Sequence, residues 1–179
     1  TAISPTARAR CTRALIVHCV GLSLAMALYA LGLTRAAGVA QLLVVLAAVL
    51  VIQPVLATVM GRSPRLTTAT VAVIAGLLWM LALCAGDAIS AAVGAYPRTI
   101  TLVLLPAFLG AGLLQLVTGV LHHLLPILTG ARPDTTERTG YARLLLINLG
   151  GLLTLLGASA AGLIMMGIGL AANVIAVGR

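Results

Sequence analysis

Long apolar runs separated by short polar breaks organise this sequence. About 30 Å of hydrocarbon, crossed at about 1.5 Å per residue, needs about 20 residues. On that measure the runs predict transmembrane helices near residues 14–33, 39–60, 66–85, 99–128, 142–156 and 159–177. The last two come from one apolar stretch, 142–177, which as a single helix would be about 54 Å long. Gly157-Ala158-Ser159 is the expected turn between them; a single long tilted helix is the alternative. The fourth span is also long. Tyr96 and Pro97 mark an interfacial start, Pro106 is placed to kink it, and Pro126 is expected to close it, because proline lacks a donor and clashes one turn back. A polar segment, 129–141, follows.

Composition sets the solvent. Hydrophobic residues make up 61% of the 179, charged residues 8%, and the mean hydropathy is +1.19. A soluble domain carries about 25% charged residues. This chain cannot cover a globule with polar groups, so most of its surface must face lipid. Disorder, collagen, coiled coil and a disulfide scaffold are excluded by the same figures. The three cysteines, Cys11, Cys19 and Cys84, show no CxxC spacing and read as buried structural thiols.

All eleven basic residues are arginine, against three acids, and the net charge is +8. In a soluble protein that balance would point to nucleic acid. Here the arginines lie between apolar runs and no basic face carries interleaved aromatics, so no nucleic-acid partner is expected. With six spans, Arg8, Arg10, Arg13, Arg62, Arg65, Arg132, Arg138, Arg143 and Arg179 fall on one side, and Arg35 and Arg98 on the other. Basic residues accumulate on the cytoplasmic side, which predicts cytoplasmic termini. The predicted fold is therefore an all-α, polytopic transmembrane bundle in the cell membrane, one domain over 1–179. The leader around Arg8–Arg13 imitates a secretory signal, but the run after it, about 20 residues, exceeds the ~7–15 of a signal core. A start at Thr1 rather than Met predicts a processed chain or a piece of a longer protein.

Within lipid, helices associate by close backbone approach. Gly112 and Gly119, Gly162 and Gly169, and the Ala158/Gly162 pair are expected at helix interfaces. No internal repeat is evident, which weighs against an inverted-repeat transporter.

Ionisable and amide side chains inside a membrane are costly and mark sites by default. The candidates are His18, Gln53, Gln115, His122, His123, Asn148 and Asn173. By span direction all but Gln115 fall in the cytoplasmic leaflet. Imidazole ligates haem iron, copper and zinc, so His18 with His122 or His123 is a candidate axial pair for a b-type haem. Adjacent helical residues diverge by about 100°; His122 and His123 do not both address one centre. Hydrogen bonding between helices and snorkelling to the interface are the plainer roles, and proton or ion passage is a third. No paired carboxylates, GxSxG, HExxH, Walker A or GxGxxG pattern occurs. Asp87 is expected at a loop edge, Asp134, Glu137 and Arg138 in a solvated loop, and Trp79 in helix packing.

Several segments together carry a family likeness. Arg62-Ser63-Pro64-Arg65 followed by ATVAVIAGLLW at 69–79, Leu105-Pro106-Ala107, QLVTGVLHHLLP at 115–126 and YARLLLINLG at 141–150 resemble the membrane region of actinobacterial copper oxidases of the multicopper oxidase or copper nitrite reductase type. Pro5-Thr6 with Arg8 and Arg10 resembles the end of that family's Trp-Pro-Thr…Arg-Thr-Arg stretch, with Ser4 in place of the Trp. The likeness covers most of this chain and the later half of the family's membrane region. It implies that the family's own copper ligands and periplasmic cupredoxin domain lie outside these residues. At His122-His123 the family often has other residues, which weakens a shared ligand role.

The functional expectation is a membrane-embedded domain that anchors or electronically couples a copper-dependent oxidoreductase, with haem or copper as its cofactor. Its expected partners are the bilayer and a cupredoxin domain or other membrane subunits. A small transporter, an assembly factor without redox chemistry, or a subunit that only fills a larger complex are the other readings. No catalytic residue is assigned.

Overall fold

A backbone inside hydrocarbon must satisfy its own hydrogen bonds, and only helices and closed barrels do so. A computed structural model describes residues 5–61, 67–95, 98–130 and 137–177, and every element among them is helical. In order they are α1 (Pro5–Ala30), α2 (Thr34–Gly61), α3 (Thr68–Ala92), α4 (Arg98–Ala107), a π-helical segment (Phe108–Leu114), α5 (Gln115–Thr129), α6 (Glu137–Leu155) and α7 (Ser159–Val177). The π segment joins α4 and α5 into one rod. Helical stretches within α1, α2, α3, this rod and α7 are long and apolar enough to cross a membrane, and Thr139–Leu155 of α6 is a shorter apolar helix. The chain is a multi-pass membrane protein.

Turns fall where glycine permits them. Gly157 has φ +90°, and Ala158 N–H donates to Leu153 O at 2.9 Å across it. Gly32 has φ +73°, with Leu33 N–H donating to Leu28 O at 2.9 Å. Both are left-handed C-terminal caps that satisfy carbonyls left over by the preceding helix. The α6–α7 break therefore sits at Gly157, as its sequence predicts, and a single long helix is excluded. Several boundaries differ from expectation, among them the starts of α2 at Thr34 and of α6 at Glu137. α1 starts at Pro5 and stops at Ala30. α3 runs seven residues past Ala85, to Ala92, because the small residues after Asp87 continue the helix until Gly94 turns the chain at φ +76°. Pro126 lies inside α5, which closes three residues later against Gly130 at φ +66°. Proline's own φ is helical, so it forfeits a bond there without ending the turn.

Two compact units divide the contacts. The first comprises Thr1–Pro64 with Leu81–Thr101, and the second Arg65–Met80 with Leu102–Arg179. In the first, the buried apolar positions are small: Ala14 and Ala25 on α1, Ala37, Ala40 and Ala47 on α2, Ala88 and Ala91 on α3, with Leu83 the one larger side chain. Large apolar side chains such as Leu15, Ile16, Met26 and Val39 point outward. That distribution inverts a soluble core. Water would drive leucine and isoleucine inside; lipid has no such preference, and van der Waals packing of small residues holds the helices together. A Cβ on Gly21 of α1 would lie 2.9 Å from Leu43 Cβ of α2, which marks a close approach of that pair.

The second unit is built around the π segment. Its backbone widens to i→i+5 bonds, and Gln115 N–H reaches Gly110 O. Gly110, Ala111 and Gly112 are all buried. A Cβ on Gly110 would meet Met166 Sδ of α7 at 2.8 Å, and one on Gly112 would meet Met80 Cγ of α3 at 2.9 Å. Ala111 packs with Ile147 of α6 and Met166, and Trp79 and Leu170 close the cluster. Three neighbours thus surround one short stretch that carries almost no side chain.

Candidate functional site

Polar groups of the second unit gather where α3, α5, α6 and α7 approach one another. Gly119 of α5 sits against Ala72 and Val73 of α3, at 2.9 and 3.0 Å for an added Cβ. Gly140 of α6 sits against Thr68, the first residue of α3, at 2.7 Å, and Gly169 of α7 lies 3.0 Å from Arg143 O on α6 by the same measure. These approaches leave a narrow crevice lined by Thr68, Gly119, His122, Gly140, Arg143 and Asn173, among others. Its interior is about 10 Å³, room for about one water molecule.

The lining is unevenly satisfied. Arg143 Nε is buried and has no hydrogen-bond partner. Asn173 is only 5% exposed, and no hydrogen bond joins its amide to another described residue. No carboxylate lines the crevice among the described residues. A buried donor without an acceptor costs about 1–3 kcal/mol, more when charged, so this cationic, amide-bearing recess is suited to a small anion or an anionic oxygen.

Deeper polar groups are mostly spoken for. Trp79 Nε1 donates to Asn148 Oδ1 at 2.7 Å, and Asn148 Nδ2 donates to Leu144 O at 2.7 Å. Asn148 therefore ties α3 to α6. Gln115 is fully buried; its Nε2 donates weakly to Ala72 O at 3.5 Å, and its Oε1 has no partner.

A second polar group lies in the first unit. Gln41 Nε2 donates to Asp87 Oδ2 at 3.2 Å, and Tyr29 Oη donates to Gln41 Oε1 at 3.4 Å. Asp87 is thus inside α3 and bonded to a neighbouring helix, not at a loop edge. Arg35 rests its guanidinium against Gly94, where α3 ends, and a cation is favoured beside that negative terminus. Gln41 and Tyr29 were not candidates by sequence. The signal was present in Gln41 and Asp87, two polar residues near matching ends of apolar runs.

The sequence-predicted residues are distributed over both units. His18 is exposed on α1 in the first unit, His123 is exposed on α5, and His122 lines the crevice. Gln53 is exposed on α2. His122 and Asn173 come together, with Arg143 and Thr68, which the sequence did not single out as site residues. All four expected interface glycines, Gly112, Gly119, Gly162 and Gly169, do face neighbouring helices, whereas Ala158 is exposed at the turn. Among the described residues no three His, Cys, Asp or Glu side chains converge. Of the residues expected in a solvated loop, Asp134 lies outside the described residues, whereas Glu137 and Arg138 belong to the first turn of α6.

No protein-family model, curated protein or solved structure matches this chain.

Proposed function

We propose that this chain is the membrane-embedded domain of a copper-dependent oxidoreductase, and that its role is to anchor or electronically couple a copper-bearing portion rather than to perform the chemistry itself. The observation that carries the anchoring role is the inverted core: small residues at the helix contacts and large apolar side chains outward. The likeness of the 62–79, 105–107, 115–126 and 141–150 segments to copper oxidase membrane regions supports the oxidoreductase assignment. Both termini lie on the cytoplasmic side in this reading, on the strength of the arginine distribution.

Isolation from native membranes in mild detergent, followed by metal analysis, absorption spectroscopy and mass spectrometry of the whole assembly, tests it. Copper should co-purify with the chain, either on a covalent extension or on a tightly held subunit. A Soret band lost in His18→Ala would place haem on α1. Absence of copper, haem and any redox-active companion would overturn the reading.

A small transporter is the second reading, and one observation favours it. Asp87 is a carboxylate within an apolar helix, bonded through Gln41 to Tyr29 across three helices. Intramembrane carboxylates commonly serve proton or ion passage. Proteoliposome uptake abolished by Asp87→Asn, in protein free of copper, would select that reading.

A further inference from the structure

We propose that the crevice at the end of the second unit is a binding site for the phosphate of an anionic phospholipid, with Arg143 as its cationic anchor. The proposal stands apart from the oxidoreductase reading and does not need it.

Charge comes first. Arg143 carries a guanidinium cation and presents a buried Nε–H with no acceptor among the described residues. Donors come second. The Asn173 amide, nine-tenths buried and with no hydrogen bond to another described residue, shares the crevice with the Thr68 hydroxyl. Thr68 is also the first residue of α3, so the positive end of that helix dipole lies at the site. Sign comes third. Among the described residues no carboxylate lines the crevice, so none of them would receive a choline or ethanolamine ammonium, which favours anionic over zwitterionic headgroups.

Depth and size fit the same ligand. Thr68 opens α3, Arg143 is six residues into α6, and Asn173 is four residues from the end of α7. At about 1.5 Å per residue these positions lie within about 10 Å of their helix ends, the zone of glycerol and phosphate groups. An interior of about one water accepts one phosphate oxygen while the ester arms remain in the lipid. Basic recesses between transmembrane helices are known to seat phosphorylated headgroups.

The test uses the whole chain in nanodiscs and in neutral detergent. Thermal unfolding and native mass spectrometry are followed as phosphatidylglycerol is titrated, with phosphatidylcholine and inorganic phosphate as parallel arms. Phosphatidylglycerol should raise Tm and remain bound in the gas phase, phosphatidylcholine should do neither, and inorganic phosphate should act weakly. Arg143→Gln should weaken phosphatidylglycerol binding roughly tenfold to a hundredfold, as expected for a charge-assisted bond, and Arg143→Lys should recover part of it. Asn173→Ala, a milder change, should weaken it in the same direction and covers the case in which Arg143→Gln fails to fold. Arg35→Gln, on the first unit, should bind as the wild type does. Equal response to phosphatidylcholine, equal loss in Arg35→Gln, or an Arg143→Gln protein that still binds as tightly would overturn the proposal. Saturation by inorganic phosphate alone would overturn the lipid as its source.

Discussion

Single side chains decide how the buried polarity is carried. The Trp79–Asn148 bond is short, joins two helices and is shielded from solvent, while Asn148 also returns a bond to its own helix. Replacing Asn148 by Leu removes an acceptor and strands the indole N–H; the expected cost is about 1–3 kcal/mol, read as lowered thermal stability in detergent. Adding Trp79→Phe to Asn148→Leu removes the indole donor as well, so the double variant should lose less on account of the bond itself. Asp87 is the corresponding test in the first unit. Asp87→Asn keeps an acceptor for Gln41 and should be nearly neutral in stability, whereas Asp87→Leu should destabilise by about 1–3 kcal/mol. An expectation that six of the seven intramembrane polar residues share a depth band can be drawn from spacing alone. Which of them meet cannot, because a helical angle and a neighbour are needed. Asn148 pairs with Trp79, while Asn173 lines one crevice with Arg143 and His122.

At the level of elements, glycine sets the spacing. Gly150 and Gly162 face each other across α6 and α7: an added Cβ on either would lie 2.7 or 2.5 Å from the other's carbonyl oxygen. No neighbour lies within 4 Å of a Cβ built on Gly167 of the same helix, and that residue is exposed. Gly162→Leu should therefore cost about 1–3 kcal/mol or more through overpacking, and Gly167→Leu should be close to neutral; paired unfolding curves in one detergent distinguish them. The existence of each helix, the α6–α7 break and the interface role of Gly112, Gly119, Gly162 and Gly169 were legible from run length and small-residue spacing. The π segment was not. Pro106 marks a weakened ladder, but the widening runs over 108–114, where Gly110, Ala111 and Gly112 admit three helices at once. Helix ends were missed where a polar residue was taken for a boundary: Asp87 is tolerated inside α3 because Gln41 bonds it.

For the whole molecule the decisive property is topology across the bilayer. Native thiols give a direct readout, since Cys11 lies beside the arginine-rich leader and is exposed. In a Cys19→Ser/Cys84→Ser background, a membrane-impermeant maleimide should label Cys11 from the cytoplasmic face only. With Cys11 also replaced, Ser159→Cys at the α6–α7 turn should label from the opposite face, and Thr129→Cys from the cytoplasmic face. Labelling of Cys11 and Ser159→Cys from one side would refute the six-span arrangement.

Sequence by itself determined the solvent and the architecture class. With 61% hydrophobic and 8% charged residues, no arrangement of this chain can present a polar surface, and backbone bonding in lipid leaves helices as its elements. Only tertiary structure decided which polar groups share a recess. A residue's depth follows from its number along a helix, but its partner depends on how far glycine and alanine let two backbones approach. Gly119, Gly140 and Gly169 close that distance and bring Arg143 to Asn173, while Gly38 and the small residues Ala88 and Ala91 bring α2 and α3 together near Gln41 and Asp87.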